Sequence, residues 1–376
     1  MSRFLISCGG TGGHVSPGIS VAEGLVARGH EALLLISTKG VDARLVGKYP
    51  HLRFERMPGT GFSWNPFRMA RFGVSQAAGL AYCLRLMRAM RPDAVVGFGG
   101  FTSAPVAVAG FLLGVPVALH EANRVPGLAI RTFGPFAARV YLPHGIRVRG
   151  VRAAATRYAG LPVRREIARM PSAAARQALG LDPQQKVLVV LGGSQGASSL
   201  NAWARSRLEM LASEGIQVVC VTGPGKGVPE AKSLQLQTGE QVKAIFMPFC
   251  DRVAELFSAA DVVVSRAGAG TLAELIRCEV PAILVPYPRA ASDHQRANAA
   301  FFERQGGGFV VEEAALGALH SEVLDVIFND WLLRQFRSNL RRMDRANSLE
   351  LMLADLDGIA GKGTEARHNP TMEAAA

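Results

Sequence analysis

Two α/β domains, each a parallel sheet wound with crossover helices, are predicted by three observations in this chain of 376 residues. Each half opens on an apolar run that ends in glycines: Arg3–Cys8 into Gly9-Gly10-Thr11-Gly12-Gly13, and Lys186–Leu191 into Gly192-Gly193-Ser194-Gln195-Gly196. Short β-rich runs recur between helix-length segments, the rhythm of parallel strands joined by crossovers. The length suits two domains that each bury a core, and a content of 49% apolar and 19% charged residues is ordinary for a globular chain. A strand that feeds a helix through glycines leaves backbone N–H groups at the helix start, a site for a phosphate or a closely approaching ligand. Two such units facing each other place the chemistry in the cleft between them.

In the first half, strands are expected at Arg3–Cys8, Ala32–Ile36, Ala94–Phe98, Val115–His120 and Arg139–Leu142. In the second they are expected at Lys186–Leu191, Gln217–Thr222, Lys243–Met247, Asp261–Ser265 and Ala282–Val285. Gly160-Leu161-Pro162-Val163 falls between the two series as a linker, giving domains 1–160 and 161–339. Trp331–Ile359 reads as helix, whose part at about 340–359 is expected to pack back on the first domain. Gly361–Ala376 is polar and alanine-rich and is expected to be a disordered tail. Phe98–Leu119 is uncharged and long enough to span a membrane. Its Gly99, Gly100, Pro105, Gly110, Gly114 and Pro116 fit better as strand, glycine turn, buried helix and a turn into the next strand. Glycines interrupt the apolar stretch after Met1, so no signal peptide is expected. The five cysteines, Cys8, Cys83, Cys220, Cys250 and Cys278, are odd in number and form no CxxC. That pattern points to a reducing compartment and away from a zinc site or a disulfide framework.

Charge divides the chain. Residues 1–160 carry 19 Lys and Arg against 6 Asp and Glu, a net of +13, while residues 161–376 carry 23 against 24. The whole net charge of +12 therefore sits in the first half, as expected where one domain meets a polyanion or an anionic membrane face. No zinc-finger spacing or RNP-type aromatic motif accompanies it, so nucleic acid is not the expected partner.

The first glycine loop, Gly9–Gly18 (GGTGGHVSPG), lacks the lysine and Ser/Thr of a P-loop. It also misses the dinucleotide fingerprint: Val15 stands at the third glycine position, and Ser37-Thr38-Lys39 stands where a ribose-binding acid would end the second strand. A nicotinamide or flavin enzyme is disfavoured. His14 falls just inside the helix start, where the dipole keeps an imidazole neutral. A neutral histidine at a cleft is a general base; the plainer role is a polar residue at a glycine turn.

In Asp261–Pro288 a buried strand ends at Ser265, Gly268-Ala269-Gly270 turns, and a helix is expected to begin at Thr271. Thr271-x-x-Glu274 fits a capping box, yet a carboxylate there also suits both hydroxyls of a ribose whose phosphates rest on the helix end. Asp293-His294-Gln295-Arg296 and Asn298 follow the next strand, at the edge where open α/β sheets bind ligands, or they form a polar surface loop. His120-Glu121-Ala122-Asn123 also follows a strand. Glu121 is either an acid/base group or a solvated carboxylate. Arg164, just past Pro162, could clamp a diphosphate. Finally, Phe62–Phe72 (FSWNPFRMARF) interleaves Phe62, Trp64, Phe67, Met69 and Phe72 with Arg68 and Arg71. Such a mixture suits a membrane interface or a core-facing helix start.

Seven segments in order resemble the MurG family, the bacterial N-acetylglucosaminyltransferases of peptidoglycan lipid-intermediate synthesis in glycosyltransferase family 28. They are GGTGGHVSPG (9–18), GFGGFTSAP (97–105), HEANRVPGL (120–128), GLPVR (160–164), GGSQGA (192–197), SRAGAGTLAE (265–274) and DHQRANA (293–299). The resemblance implies a GT-B fold, two Rossmann-like domains with parallel sheets facing across a cleft. It implies inverting transfer of GlcNAc from UDP-GlcNAc to the MurNAc C4 hydroxyl of undecaprenyl-diphospho-MurNAc-pentapeptide (lipid I), giving lipid II, with no metal or other cofactor. Donor contacts carried over by motif fall on Thr11, Gly12, Gly13, Asn123, Arg164 and Ser194, and in the second domain on Cys250, Ala269, Gly270, Thr271, Leu272, Ala273, Glu274 and Gln295. His14 and Glu121 fall on the acceptor side, His14 as the preferred base. The membrane residues would be Phe62, Trp64, Phe67, Arg68, Arg71 and Phe72, holding a peripheral protein on the cytoplasmic face of the inner membrane. Cell-wall and division proteins are the implied protein partners. Phe101 stands where relatives often have tyrosine, and Cys250 where an aliphatic is common, which points to a main-chain contact with uracil.

Three rivals share part of this pattern. A UDP-GlcNAc 2-epimerase has the same architecture but needs no lipid, leaving the basic half and Phe62–Phe72 without a role. A GT-B transferase acting on another lipid acceptor, such as diacylglycerol, differs only in its motifs. A non-enzymatic nucleotide-sugar-binding subunit would need only the donor half.

Overall fold

The structure, a computed structural model, describes residues 1–9, 12–37, 46–57, 66–236, 239–344 and 348–368. The chain forms two compact units. One is Met1–Arg164 together with the helix Ser348–His368, and the other is Arg165–Arg345.

The first unit holds a seven-stranded sheet of β1 (Arg3–Ser7), β2 (Glu31–Ser37), β3 (Arg53–Met57), β4 (Ala94–Gly97), β5 (Val117–His120), β6 (Arg139–Leu142) and β7 (Thr156–Tyr158). Its order is β3-β2-β1-β4-β5-β6-β7, and every pairing is parallel, with Ser7 opposite Leu35 on one side and Gly97 on the other. Side chains alternate between faces along a strand. Phe4 and Ile6 accordingly join Val15, Ile19, Leu353 and Leu356 in one core. Leu5 faces the opposite way and packs with Val95, Met87 and Val106 in another. Helices on both faces explain why these strands are apolar throughout rather than alternating. The polar edge strands β3 and β7 carry no such signal and were not expected from the sequence.

The stretch expected to be one helix over Trp331–Ile359 is two. Asp330–Met343 packs Leu333 and Phe336 into the second unit, and Ser348–His368 buries Leu349, Met352, Leu353, Leu356 and Ile359 in the first. The second helix runs beyond residue 359, so residues 361–368, expected to be disordered, are helical; residues 369–376 lie outside the described ones. Asp355 on this helix accepts from Arg139 Nε, 3.0 Å to each oxygen, and from Tyr141 Oη at 2.9 Å. Burial, then the Asp355 charge, pushes the Tyr141 phenol well above its usual range. Arg28 reaches Asp357 and Glu350, each at 2.6 Å. Phe98–Leu119 begins just after β4 and folds as a glycine turn, the helix Ser103–Leu112 and a turn into β5. Among the described residues no helix is long and apolar enough to cross a membrane.

The second unit holds β8 (Lys186–Leu191), β9 (Ile216–Val221), β10 (Glu230–Gln235), β11 (Gln241–Met247), β12 (Val262–Ser265), β13 (Ala282–Leu284) and β14 (Gly308–Val310), in the order β10-β11-β9-β8-β12-β13-β14. All pairings are parallel except β10 with β11, an antiparallel departure from the all-parallel expectation. The sequence EAKSLQ of β10 is too polar to show as a strand, and at the sheet edge it needs no second apolar face. Under the sheet, Asp261 accepts from Arg176 Nη2 at 2.7 Å and from the Val187 N–H at 2.8 Å. This buried pair pins the helix Ser172–Ala178 to the start of β8.

Candidate active site

In the first unit, two loops at the carboxyl edge of the sheet, those after β1 and β4, are knitted together by hydroxyls. Ser7 Oγ donates to Thr102 Oγ1 at 3.0 Å, and Thr102 Oγ1 donates to the Gly9 carbonyl at 3.1 Å. Ser103 Oγ donates to the Gly99 carbonyl at 2.6 Å and accepts from the Gly99 N–H at 3.0 Å. Gly12 and Gly13 open the helix Gly12–Ala27, so His14 lies in its first turn, beside N–H groups that have no partner within the helix. The imidazole rests over the next loop: a methyl group at Gly99, where φ is +97°, would lie 3.3 Å from His14 Nε2. Only glycine takes that backbone conformation without strain while leaving room for the ring.

His120 ends β5 and is 2% exposed. Its Nε2 lies 3.1 Å from the Gly160 carbonyl, so that nitrogen carries the hydrogen. Nδ1 is buried with no hydrogen-bond partner among the described residues. Burial, aided by the charge of nearby His14 and opposed by the Gly160 contact, pushes the His120 pKa down to about 4. The ring stays neutral at physiological pH.

Glu121 is engaged by its own loop. Oε1 accepts from Asn123 N at 2.8 Å and Asn123 Nδ2 at 3.1 Å, and Oε2 accepts from Gly127 N at 2.6 Å. The carboxylate thus shapes the HEANRVPGL loop and holds Asn123. Arg164 is 7% exposed and donates to Tyr49 Oη at 3.3 Å. Of the aromatic stretch, Phe67 is 87% exposed and Met69 and Arg71 are exposed, which removes the core-facing reading for these positions; Phe72 is half-buried. Thr11, Phe62, Trp64 and the side chain of Arg68 lie outside the described residues.

In the second unit, β8 ends in the turn Gly192–Gly196 before the helix Ser198–Ser206, with Ser194 exposed. Gly196 has φ +65°, and a methyl there would fall 2.0 Å from the Thr222 carbonyl oxygen. The loop can therefore pass close against the next strand's end only as glycine. After β12, Gly268 is the N-cap of the helix Ala269–Arg277, with no side-chain cap. Thr271 is the third residue inside that helix rather than its cap, so the capping box expected at Thr271 and Glu274 does not form. Ala269, Gly270 and Thr271 instead present first-turn N–H groups. Leu272 is buried, and Ala273 and Glu274 are half-buried. Gln295 Oε1 accepts from the Tyr287 N–H at 2.9 Å, which fixes the orientation of its amide. Asn298 Nδ2 donates to the Ala267 carbonyl at 3.1 Å. Ser292 and Asp293, just before, both have positive φ, +52° and +53°, the kind of strain found where a loop serves function. Cys250 is half-buried, and burial raises its thiol pKa. Among the described residues no three His, Cys, Asp or Glu side chains gather as a metal site requires.

Several residues at these edges were not singled out from the sequence: His120, Tyr49, Thr102, Ser103 and, in the second unit, Arg266 with Glu313. Arg266 Nη2 donates to Glu313 Oε1 at 2.8 Å. His120, Thr102, Ser103 and Arg266 lie in the seven segments without having been given a role, whereas Tyr49 and Glu313 lie outside them.

The chain matches the glycosyltransferase family 28 N-terminal domain over residues 4–142 and the glycosyltransferase family 28 C-terminal domain over residues 187–347. It belongs to glycosyltransferase family 28. A family 28 relative from Opitutus terrae is 63% identical over 357 residues, 95% of each chain. It is named UDP-N-acetylglucosamine–N-acetylmuramyl-(pentapeptide) pyrophosphoryl-undecaprenol N-acetylglucosamine transferase. A relative of the same name from Symbiobacterium thermophilum is 34% identical over 379 residues, 97% of this chain and 98% of its own. In fold, the chain is similar to Acinetobacter baumannii MurG, with a TM-score of 0.68 at 23% identity over 95% of this chain and 99% of that one. It is also similar to the calicheamicin glycosyltransferase CalG4, with a TM-score of 0.69 at 13% identity over 96% and 98%. These two likenesses speak for the fold alone. The two Rossmann-like, parallel-sheet units are those of a family 28 glycosyltransferase of GT-B type.

Proposed function

We infer that the chain transfers GlcNAc from UDP-GlcNAc to the MurNAc C4 hydroxyl of undecaprenyl-diphospho-MurNAc-pentapeptide, inverting the anomeric carbon to a β-linkage and releasing UDP. The observation that carries this is the 63% identity, along 95% of both chains, with a relative bearing that activity in its name. His14 is the base: it takes the proton of the C4 hydroxyl as that oxygen bonds to the anomeric carbon and the bond from that carbon to the diphosphate breaks. Its place in the first turn of the helix suits that task. Glu121 has both oxygens occupied by its own loop and acts by holding Asn123 in place. The departing diphosphate meets Ser194 and the N–H groups of Ala269 to Thr271, oriented donors that counter its charge. Glu274 accepts from the ribose, Gln295 donates to the sugar, and the main chain at Cys250 meets the uracil. No metal or cofactor is assigned a role.

The acceptor's lipid anchor requires the enzyme at a membrane. Phe67, Met69 and Val74 are exposed at the start of the helix Pro66–Met90, beside Arg71 and within the half of net charge +13. Exposed apolar side chains among cations suit peripheral attachment to an anionic leaflet, the cytoplasmic one in this reading.

Labelled UDP-GlcNAc with a lipid I analogue tests the activity for wild type, His14→Ala and Glu274→Ala. Transfer by wild type and its loss in both variants is the expected result. Formation of UDP-ManNAc without acceptor would favour the epimerase, and wild-type rates in both variants would sink the site assignment.

A further inference from the structure

We propose that Arg266 is a positioning residue of the donor site, a buried brace that fixes three ligand loops relative to one another without touching the substrate. Arg266 directly follows β12 and is 7% exposed. Its Nη1 donates to the Val285 carbonyl at 3.1 Å and the Pro286 carbonyl at 3.3 Å. Its Nη2 donates to Ser199 Oγ at 3.0 Å and Glu313 Oε1 at 2.8 Å. The guanidinium also lies over the Tyr287 ring, 5.4 Å from its centroid.

Each partner leads to a candidate donor contact. Ser199 is the second residue of the helix that follows the Gly192–Gly196 turn. Val285 and Pro286 lead to Tyr287, whose N–H sets the orientation of the Gln295 amide at 2.9 Å. The backbone of Arg266 itself continues through Gly268 into the helix Ala269–Arg277. A planar fork with several fixed N–H directions can tie these together, whereas an ammonium of three donors on a flexible stem cannot. A cation buried this far needs a counter-charge, and Glu313, outside every motif, supplies it. The hydrogen bond from Arg266 is the main cause holding the Glu313 carboxyl below its usual range.

This inference rests on the reading of these loops as the UDP-GlcNAc site. Its test is steady-state kinetics of the full chain with UDP-GlcNAc and a lipid I analogue, with the KM for each substrate measured separately. For Arg266→Lys the donor KM should rise about tenfold, and for Glu313→Gln about threefold, as expected for lost charge-assisted hydrogen bonds, with the acceptor KM unchanged. Asp330→Asn is the control, because Asp330 accepts from Lys186 Nζ at 2.8 Å at the start of β8, the opposite end of that strand from the Gly192–Gly196 turn; its donor KM should stay at the wild-type value. Donor KM unchanged in Arg266→Lys and Glu313→Gln, or raised equally in the control or for the acceptor, would overturn the brace. If Arg266→Lys does not fold, Ser199→Ala removes one arm and should raise donor KM about twofold to threefold. UDP binding by calorimetry on the same variants reads the brace independently: wild type that binds UDP but transfers nothing refutes the proposed activity, while unchanged UDP affinity in the variants refutes the brace.

Discussion

The two units present loops at the same edge of similar sheets, but they hold them by different chemistry. In the first, hydroxyls and an imidazole make most of the ties, Ser7 to Thr102 to Gly9, Ser103 to Gly99 and His120 to Gly160, beside single donations from Arg124 to the His144 carbonyl and from Arg164 to Tyr49. The carboxylate of Glu121 is absorbed by its own loop. In the second, a cation and its carboxylate stand at the centre, Arg266 with Glu313. The difference follows from what each edge must handle. A base that takes a proton works best where few fixed charges compete with the substrate in setting its pKa. An edge that receives a nucleotide diphosphate gains from oriented donors and a rigid frame.

The comparison breaks most sharply at His14. His14→Ala should lower kcat about a thousandfold, in line with loss of a general base, with a melting temperature close to wild type. A loss under about tenfold would take proton transfer away from the first unit.

The neutrality of His120 is tested by acid. Its folded pKa of about 4 lies below the ordinary value of 6.5, so the unfolded chain binds the proton more readily. The associated stability is present above pH 6.5 and lost as pH falls through 6.5 toward 4, by about 3 kcal/mol in all. Urea unfolding at pH 7 and pH 4.5 should show wild type losing more stability than His120→Gln. Equal losses would mean that the imidazole titrates normally.

Glu121→Gln separates loop anchoring from acid/base work. The loss of charged acceptors for the Gly127 and Asn123 N–H groups should reduce stability by about 1–3 kcal/mol. The pH profile of kcat should keep its shape, and a shifted limb would return Glu121 to the chemistry. The smallest effect concerns the outer surface of the first unit. Phe67→Ser with Met69→Ser should weaken sedimentation with anionic vesicles roughly tenfold, leaving transfer to a detergent-dispersed acceptor unchanged, and undiminished sedimentation would move the attachment elsewhere.

Much of the fold was legible because buried parallel strands are apolar on both faces. Arg3–Ser7, Lys186–Leu191 and Val262–Ser265 carry that signal plainly. The strands that escaped, β3, β7, β10 and β14, are sheet edges that are short or polar, and their pairing is decided by neighbours rather than by composition. The glycine loops were legible because glycine is itself the signal: at Gly99 and Gly196 positive φ combines with a close approach, to His14 and to the Thr222 carbonyl, that leaves no room for a side chain. Arg266 was not, because its partners at Ser199, Val285, Pro286 and Glu313 come from distant parts of the chain. Thr271 misled for a local reason: its spacing to Glu274 imitates a cap, while the actual start, Gly268, has no side chain to announce itself.

The helix Ser348–His368 inserts Leu353 and Leu356 into the same core as Phe4 and Ile6. The earlier-made of the two units therefore cannot reach its final packing until residues near 360 have also been synthesised. Its partner, contained within Arg165–Arg345, needs no such wait, so during translation the later-made lobe is free to mature ahead of the earlier one.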